Sequence, residues 1–351
     1  CYAYSQDASN QREIKGLPDA VVFVETIEQV QKVVKVANKY QTPIICRGAG
    51  TNVVGACLCE HGGIVLNFSK MNKILEISPE NMTAIVQPGV VLGDLQREVE
   101  KLGLFYPPDP SNLAVSTIGG SIAQNSAGAK SFKYGTTRDY VIDLKVVTAN
   151  GEILQTGANT IKNATGYNLA NLFVGSEGTL GIVVEATLKL IPMPESKKVL
   201  GAYFDTVEQA VNAVNAIIEQ KIYPATIDFM DKNAIMTVEK FYSANLLTDK
   251  EALLLVEIDG FECSMEHQEN IIVNILKNSE ASEIQVSHNI DEYNKIWTAR
   301  HLSMGACARL KPNVTTDDVI VPRENLAKLV LGIREICEKY NLTVCMVGHV
   351  G

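Results

Sequence analysis

Apolar positions mark the chain's elements. Residues 20 to 24 form a short apolar run, and Val30, Val33, Val34 and Ala37 follow at helical spacing behind Thr26, a good N-cap. This predicts a strand and then an amphipathic helix. A second strand, 43 to 46, runs straight into Arg47-Gly48-Ala49-Gly50-Thr51-Asn52, so the opening reads β-α-β with a glycine-rich loop at a strand's C-terminal end. Ligands commonly bind there in parallel sheets. Strands follow at 64 to 68, 74 to 77 and 83 to 87, and a helix at 92 to 102 ends at Gly103. Segment 107 to 137 is dense in Pro, Gly, Ser and Asn with little periodicity, which predicts a long ordered loop of functional kind. The turn Asn150-Gly151 joins strands 141 to 149 and 152 to 156 as a hairpin. A helix near 168 to 173, a glycine-rich turn at 175 to 181 and a strand at 182 to 191 close the first half at Pro192-Met193-Pro194.

Beyond residue 197 glycines become rare and the pattern alternates. Strands are predicted at 199 to 204, 225 to 230, 252 to 258, 283 to 287, 317 to 321 and 342 to 347, and helices at 206 to 219, 231 to 241, 264 to 278, 291 to 309 and 323 to 340. A chain of 351 residues exceeds what one core usually supports, so two domains are expected, 1 to 195 and 196 to 351. Formal net charge is -9, from 40 acidic and 31 basic residues, which argues against nucleic acid or an anionic membrane surface as partner. Eight cysteines stand in a chain without a secretory h-region or an apolar run long enough to span a membrane, which fits reduced thiols in a soluble cytoplasmic protein. Cys57 and Cys59 are not spaced as CxxC and read as structural thiols. A first residue of Cys and a last residue, Gly351, inside what reads as an active-site loop predict a chain trimmed at both ends, the second domain being truncated at its C-terminus.

Glycines beside small hydroxyl and amide residues expose backbone N–H groups, which suits phosphate. Two such loops occur, at 47 to 55 and 116 to 128, and each alone could be no more than a turn. Neither is GxGxxG between strand and helix, and no P-loop Lys-Ser/Thr is present, so a Rossmann NAD site and an NTPase are not indicated.

Seven blocks stand in register: Arg47-Gly-Ala-Gly-Thr-Asn, Pro107-Pro-Asp-Pro-Ser, Thr117-Ile-Gly-Gly, Asn125-Ser-Ala-Gly, Lys133-Tyr-Gly, Gly166-Tyr-Asn-Leu and Gly175-Ser-Glu-Gly-Thr-Leu-Gly-Ile. Together they resemble the FAD-binding fold shared by vanillyl-alcohol oxidase and p-cresol methylhydroxylase relatives. The branch most similar is that of D-lactate dehydrogenase, the glycolate oxidase large subunit and D-2-hydroxyglutarate dehydrogenase. The resemblance implies an α+β protein: a two-subdomain FAD-binding domain, then an α+β substrate or cap domain with an antiparallel sheet. It also implies that Arg47, Gly48, Ala49, Gly50, Thr51 and Asn52 cradle the FAD diphosphate. Pro110, Thr117, Gly119, Gly120, Asn125, Ala127 and Gly128 would lie along the dinucleotide, and Glu177, Gly181 and Ile182 would hold the adenosine. Covalent members carry a His in the first loop; none is here, so non-covalent FAD is expected. Where the family usually has Gly-Tyr-Asp-Leu, this chain has Asn168.

Oxidising a 2-hydroxy acid needs a cation for the carboxylate, a base for the hydroxyl proton and a hydride acceptor, here flavin N5. Arg300, in Trp297-Thr-Ala-Arg300-His301, resembles the family's carboxylate-binding Arg, and a planar guanidinium suits that task. His349, in Met346-Val-Gly-His-Val-Gly351, resembles the first residue of the motif that holds zinc or iron in metal-dependent members. A catalytic metal needs at least three protein ligands, and the motif supplies one here. Histidines 61, 267, 288 and 301 show no ligand spacing. Thr316 stands where 2-hydroxyglutarate dehydrogenases carry a Lys. The expected substrate is therefore D-lactate or glycolate, oxidised to the 2-oxo acid, with electrons passed to electron-transfer flavoprotein or an iron–sulfur subunit. Three rivals stay open: a D-2-hydroxyglutarate dehydrogenase, an oxidase or alkyl-glycerophosphate-type enzyme of another substrate class, and a non-catalytic flavin-binding subunit of a larger redox complex.

Overall fold

The computed structural model describes residues 1–9 and 16–351, and the chain divides into two compact units. The first comprises Cys1–Gly128 and Gly135–Met193; the second takes Pro194–Gly351 together with the short segment Ala129–Tyr134.

The first unit begins with β1 (Ala20–Phe23), α1 (Ile27–Tyr40), β2 (Ile44–Arg47) and β3 (Ile64–Asn67). The three strands form a parallel sheet in the order β1-β3-β2, which puts the glycine loop at the C-terminal end of edge strand β2. Thr26 caps α1 by accepting from the Gln29 N–H, and Val30, Val34 and Ala37 turn inward, as the spacing predicted. Next come β4 (Ile74–Ser78), β5 (Thr83–Val86), α2 (Leu92–Glu100), β6 (Leu104–Phe105) and α3 (Ile118–Gln124). The segment α4 (Ser131–Tyr134) belongs to the second unit, and the chain returns with β7 (Val141–Val147), β8 (Ile153–Gln155), α5 (Leu169–Phe173), β9 (Ile182–Lys189) and β10 (Ile191–Pro192). A second, antiparallel sheet runs β4-β5-β9-β7-β8. The Asn150-Gly151 turn does join β7 to β8, with Gly151 at φ +82°.

The second unit is one antiparallel sheet of order β14-β11-β13-β12-β15, with helices on both faces. Its elements are β11 (Ser196–Phe204), α6 (Val207–Glu219), β12 (Thr226–Asp231), α7 (Lys232–Tyr242), β13 (Ala252–Gly260), α8 (Glu262–Asn278), β14 (Glu283–Val286), α9 (Ile290–Cys307), α10 (Leu326–Lys339) and β15 (Val347–His349). Alternate residues of the strands sort the cores by the period-two rule. Leu254, Val256 and Ile258 pack against α6, α8 and α10, while Leu253 and Leu255 pack against α7 and α9.

Three local expectations change. The Pro/Gly-rich stretch 107 to 137 is not all loop: it holds α3, capped by Thr117, and α4. Small residues hid the helical period there. The strand expected at 317 to 321 is irregular, and its Ile320 is 96% exposed, so the apolar run has no core to join. The strand expected at 342 to 347 shortens to β15, displaced toward His349, which it pairs with Asp228 of β12.

Candidate functional site

In the first unit, three distant sequence blocks meet around α3. A side-chain carbon at Gly48 would lie 2.2 Å from Thr117 Oγ1, so the first glycine loop touches the cap of α3. Thr117 Oγ1 in turn accepts from the Gly120 N–H at 3.3 Å. The turn at 175 to 178 is pinned to the same helix, Gly175 N–H donating to the Ile122 carbonyl and Glu177 N–H to the Ala123 carbonyl, each at 2.9 Å. Glu177 adopts φ +53°, a left-handed conformation uncommon outside glycine, and its side chain is exposed. Gly128 abuts the Pro-Asp-Pro segment, where a side-chain carbon would fall 2.2 Å from the Asp109 carbonyl oxygen. Gly119 is packed against Pro88, and Pro110 is buried, its carbonyl accepting from Leu113 N–H.

The structure also shows which expected ligands spend their side chains elsewhere. Arg47 is buried, its guanidinium lying over the Tyr4 ring at 5.3 Å, beneath Gly50 and 3.5 Å from Cys57 Sγ. Asn52 Oδ1 accepts from Val54 and Ala56 N–H groups and so shapes the loop. Asn125 ends α3 at φ +49°, and its Oδ1 accepts from Arg138 N–H and the Thr136 hydroxyl. Ile182 belongs to the hydrophobic core, and Gly181 leaves only 2.5 Å to Val146. Ala49 and Ala127 are exposed, and Thr51 is half-buried. Cys57 and Cys59 are buried free thiols, Cys57 pushed up in pKa first by burial. Asn168 caps α5 by accepting from Asn171 N–H at 3.1 Å.

Two buried hydroxyls in this region, Ser116 Oγ and Ser121 Oγ, have no hydrogen-bond partner among the described residues. Buried polar groups are normally paired, so these have unused capacity for a ligand. Bare glycine backbone beside unclaimed hydroxyls fits a group that brings phosphate oxygens close to the main chain.

The second unit gathers charge on one sheet face. Asp228 of β12 is fully buried; its Oδ2 accepts from Arg300 Nε at 2.7 Å, and its Oδ1 lies 2.6 Å from His349 Nδ1. Arg300 and His349 are thus brought together by a residue the motif reading did not contain. Glu257 of β13 is likewise fully buried, accepting from the Tyr293 hydroxyl at 2.6 Å and Trp297 Nε1 at 3.0 Å through one oxygen. Its other oxygen stands 3.9 Å from Lys130 Nζ. Asp259 accepts from Lys133 Nζ and, at 2.7 Å, from the Tyr134 hydroxyl, which anchors the Lys133-Tyr-Gly block in this unit. The sequence signal for these acids was a charge at an inward strand position, Ile227-Asp228-Phe229 and Val256-Glu257-Ile258. Among the described residues, no three His, Cys, Asp or Glu side chains are placed to hold a metal ion. His349, the one residue of the metal motif expected here, has Asp228 as its neighbouring carboxylate.

Residues 18–157 match the family model of an FAD binding domain, and residues 193–351 that of the C-terminal domain of FAD linked oxidases. The chain is 44% identical to the glycolate oxidase subunit GlcD of Bacillus subtilis (strain 168) over 348 residues, 99% of this chain and 74% of that protein. The chain belongs to this family of FAD-linked oxidoreductases. A D-lactate dehydrogenase of Anaerostipes hadrus is 34% identical, over 96% of this chain and 72% of that protein. A D-2-hydroxyglutarate dehydrogenase of Stutzerimonas stutzeri (strain A1501) is 39% identical over a shorter stretch, 67% of this chain and 50% of that protein. The fold is that of p-cresol methylhydroxylase, with a TM-score of 0.70 at 20% identity over 84% of this chain and 64% of that one. Family membership makes the chain an oxidoreductase and the first unit an FAD-binding one.

Proposed function

We propose that this flavoprotein oxidises a small D-2-hydroxy monocarboxylate, D-lactate or glycolate, to the 2-oxo acid. The observation that carries the reading is Arg300, a guanidinium anchored by a buried carboxylate beside an imidazole. Non-covalent FAD would lie along Gly48, Gly50, Thr117, Gly119 and Gly120, beside the buried Ser116 and Ser121 hydroxyls that have no partner among the described residues. When bound, FAD supplies the hydride acceptor.

The chain's own residues do the rest. Arg300 Nε is committed to Asp228, and Nη1 lies 3.3 Å from Ser303 Oγ, which leaves Nη2 to hold the substrate carboxylate. His349, whose Nδ1 lies 2.6 Å from Asp228 Oδ1, is the imidazole that would meet the substrate hydroxyl. A short substrate is favoured because Thr316 brings no second cation, in an exposed segment without regular structure. The longer dicarboxylate, D-2-hydroxyglutarate, is the second reading, supported by the relative of that name. Electrons would leave through a protein carrier, an electron-transfer flavoprotein or an iron–sulfur subunit; the word "subunit" in the Bacillus relative's name supports a partner.

The test is dye reduction by the FAD-loaded protein with D-lactate, glycolate and D-2-hydroxyglutarate, for wild type and Arg300→Ala. Turnover of a monocarboxylate, falling about 1,000-fold in kcat/KM in the variant at unchanged FAD content, is expected. Preference for the dicarboxylate, or an Arg300→Ala enzyme as efficient as wild type, would overturn the reading.

A further inference from the structure

Asp228 offers more than charge balance. It sits on β12 directly across from His349 on β15, so the antiparallel register alone sets the two side chains next to each other. Helix α9 packs over the same face and lowers Arg300 onto the other carboxylate oxygen. Each oxygen thus serves one site group, and the carboxylate is wholly buried between Ile227 and Phe229. With both oxygens engaged and no exposure, Asp228 is badly placed to meet substrate itself. A buried carboxylate that only filled space would be costly, since an apolar side chain serves a packed sheet at lower desolvation cost.

We infer that Asp228 is the positioning residue of the substrate site, fixing through one rigid carboxylate both the guanidinium that binds the substrate carboxylate and the imidazole that meets its hydroxyl. This rests on the hydroxy-acid reading above. Orienting partners of this kind set tautomer and ring direction, and a loose guanidinium loses its directed bonds. Asp228 is an expected part of neither motif, and its neighbours on β12 are apolar.

The experiment uses the FAD-loaded full chain and four variants: Asp228→Asn, Asp228→Glu, Arg300→Lys and Asp228→Asn with Arg300→Lys. The readouts are KM and kcat for the preferred substrate, and the dissociation constant of oxalate from the flavin difference spectrum. Asp228→Asn keeps the shape but one acceptor oxygen at most, and is expected to raise KM and the oxalate constant at least 10-fold. Asp228→Glu keeps the charge but shifts it by a methylene; the same direction is expected, and it carries the test if the Asn variant fails to fold. Because Asp228 acts through Arg300, the double variant should bind oxalate within about 2-fold of Arg300→Lys alone. An Asp228→Glu enzyme indistinguishable from wild type, or fully additive losses in the double variant, would overturn the inference. Arg300→Lys without effect on KM or oxalate would instead overturn the hydroxy-acid reading on which it rests.

Discussion

The two units build their candidate sites from opposite materials. Around α3 the first unit uses backbone, glycine and small hydroxyls, and its Arg47 is turned inward onto Tyr4. The second unit uses full charges, with Asp228, Glu257 and Asp259 on one sheet face against Arg300, Lys130 and Lys133. A backbone site recognises by closeness and fails when anything is added; a charge site recognises by balance and fails when anything is removed. The first is intolerant of volume and the second of neutralisation.

That contrast can be broken by substitution in each unit. Trp297, the chain's single tryptophan, is buried in the second unit, so its fluorescence reports that unit, while flavin absorbance follows the first. The largest expected effect is in the backbone site: Gly128→Ala must push a methyl group into the Asp109 carbonyl and should cost about 3 kcal/mol with loss of bound FAD, leaving the Trp297 transition in place. Retention of flavin through a desalting column would show that the loop yields.

A smaller effect of opposite sign lies in the second unit outside that charge site. Burial pushes the Asp231 carboxyl up to about 6, against hydrogen bonds from Ala234 and Met346 N–H groups that pull it down. A folded-state pKa above the unfolded one means that its contribution to stability is fully present below about pH 4 and lost as pH rises through about 6. Asn keeps the acceptor and the cap, so Asp231→Asn should gain on wild type by about 2 kcal/mol between pH 4 and pH 7, read by Trp297 fluorescence in urea. A pH-independent difference between the two proteins would refute the assignment. The smallest effect returns to the first unit: Asn168→Ala removes the α5 cap and should cost about 1 kcal/mol, whereas Asn168→Asp should be nearly neutral by thermal melting.

Much of this was legible in the residues before any coordinates. Thr26 with its inward valines, the Asn150-Gly151 turn and the strand–helix alternation from 199 to 309 each have one physical solution, and each is found. Helix α3 was not legible, because Ile118-Gly-Gly-Ser-Ile carries too few large side chains for a period to show. The run Val319-Ile320-Val321 misled for the converse reason, since apolarity predicts burial only where a partner face exists. Arg300 and His349 came from motif likeness, but what joins them did not. Two residues 121 positions apart become neighbours only when β12 and β15 pair, a register that no local window contains.

The segment Ala129–Tyr134 has a consequence for how the protein can be divided. It lies early in the chain, yet its Lys133 and Tyr134 hold Asp259, and its Phe132 ring rests 4.7 Å from that of Tyr223. A ribosome making this protein delivers that helix long before the sheet that receives it. Cutting at Met193 would therefore give no clean pair of modules. The later fragment would carry an orphaned acid and an empty seat for Phe132, and the earlier fragment would carry the plug for both, so the two pieces added together should restore what neither has alone.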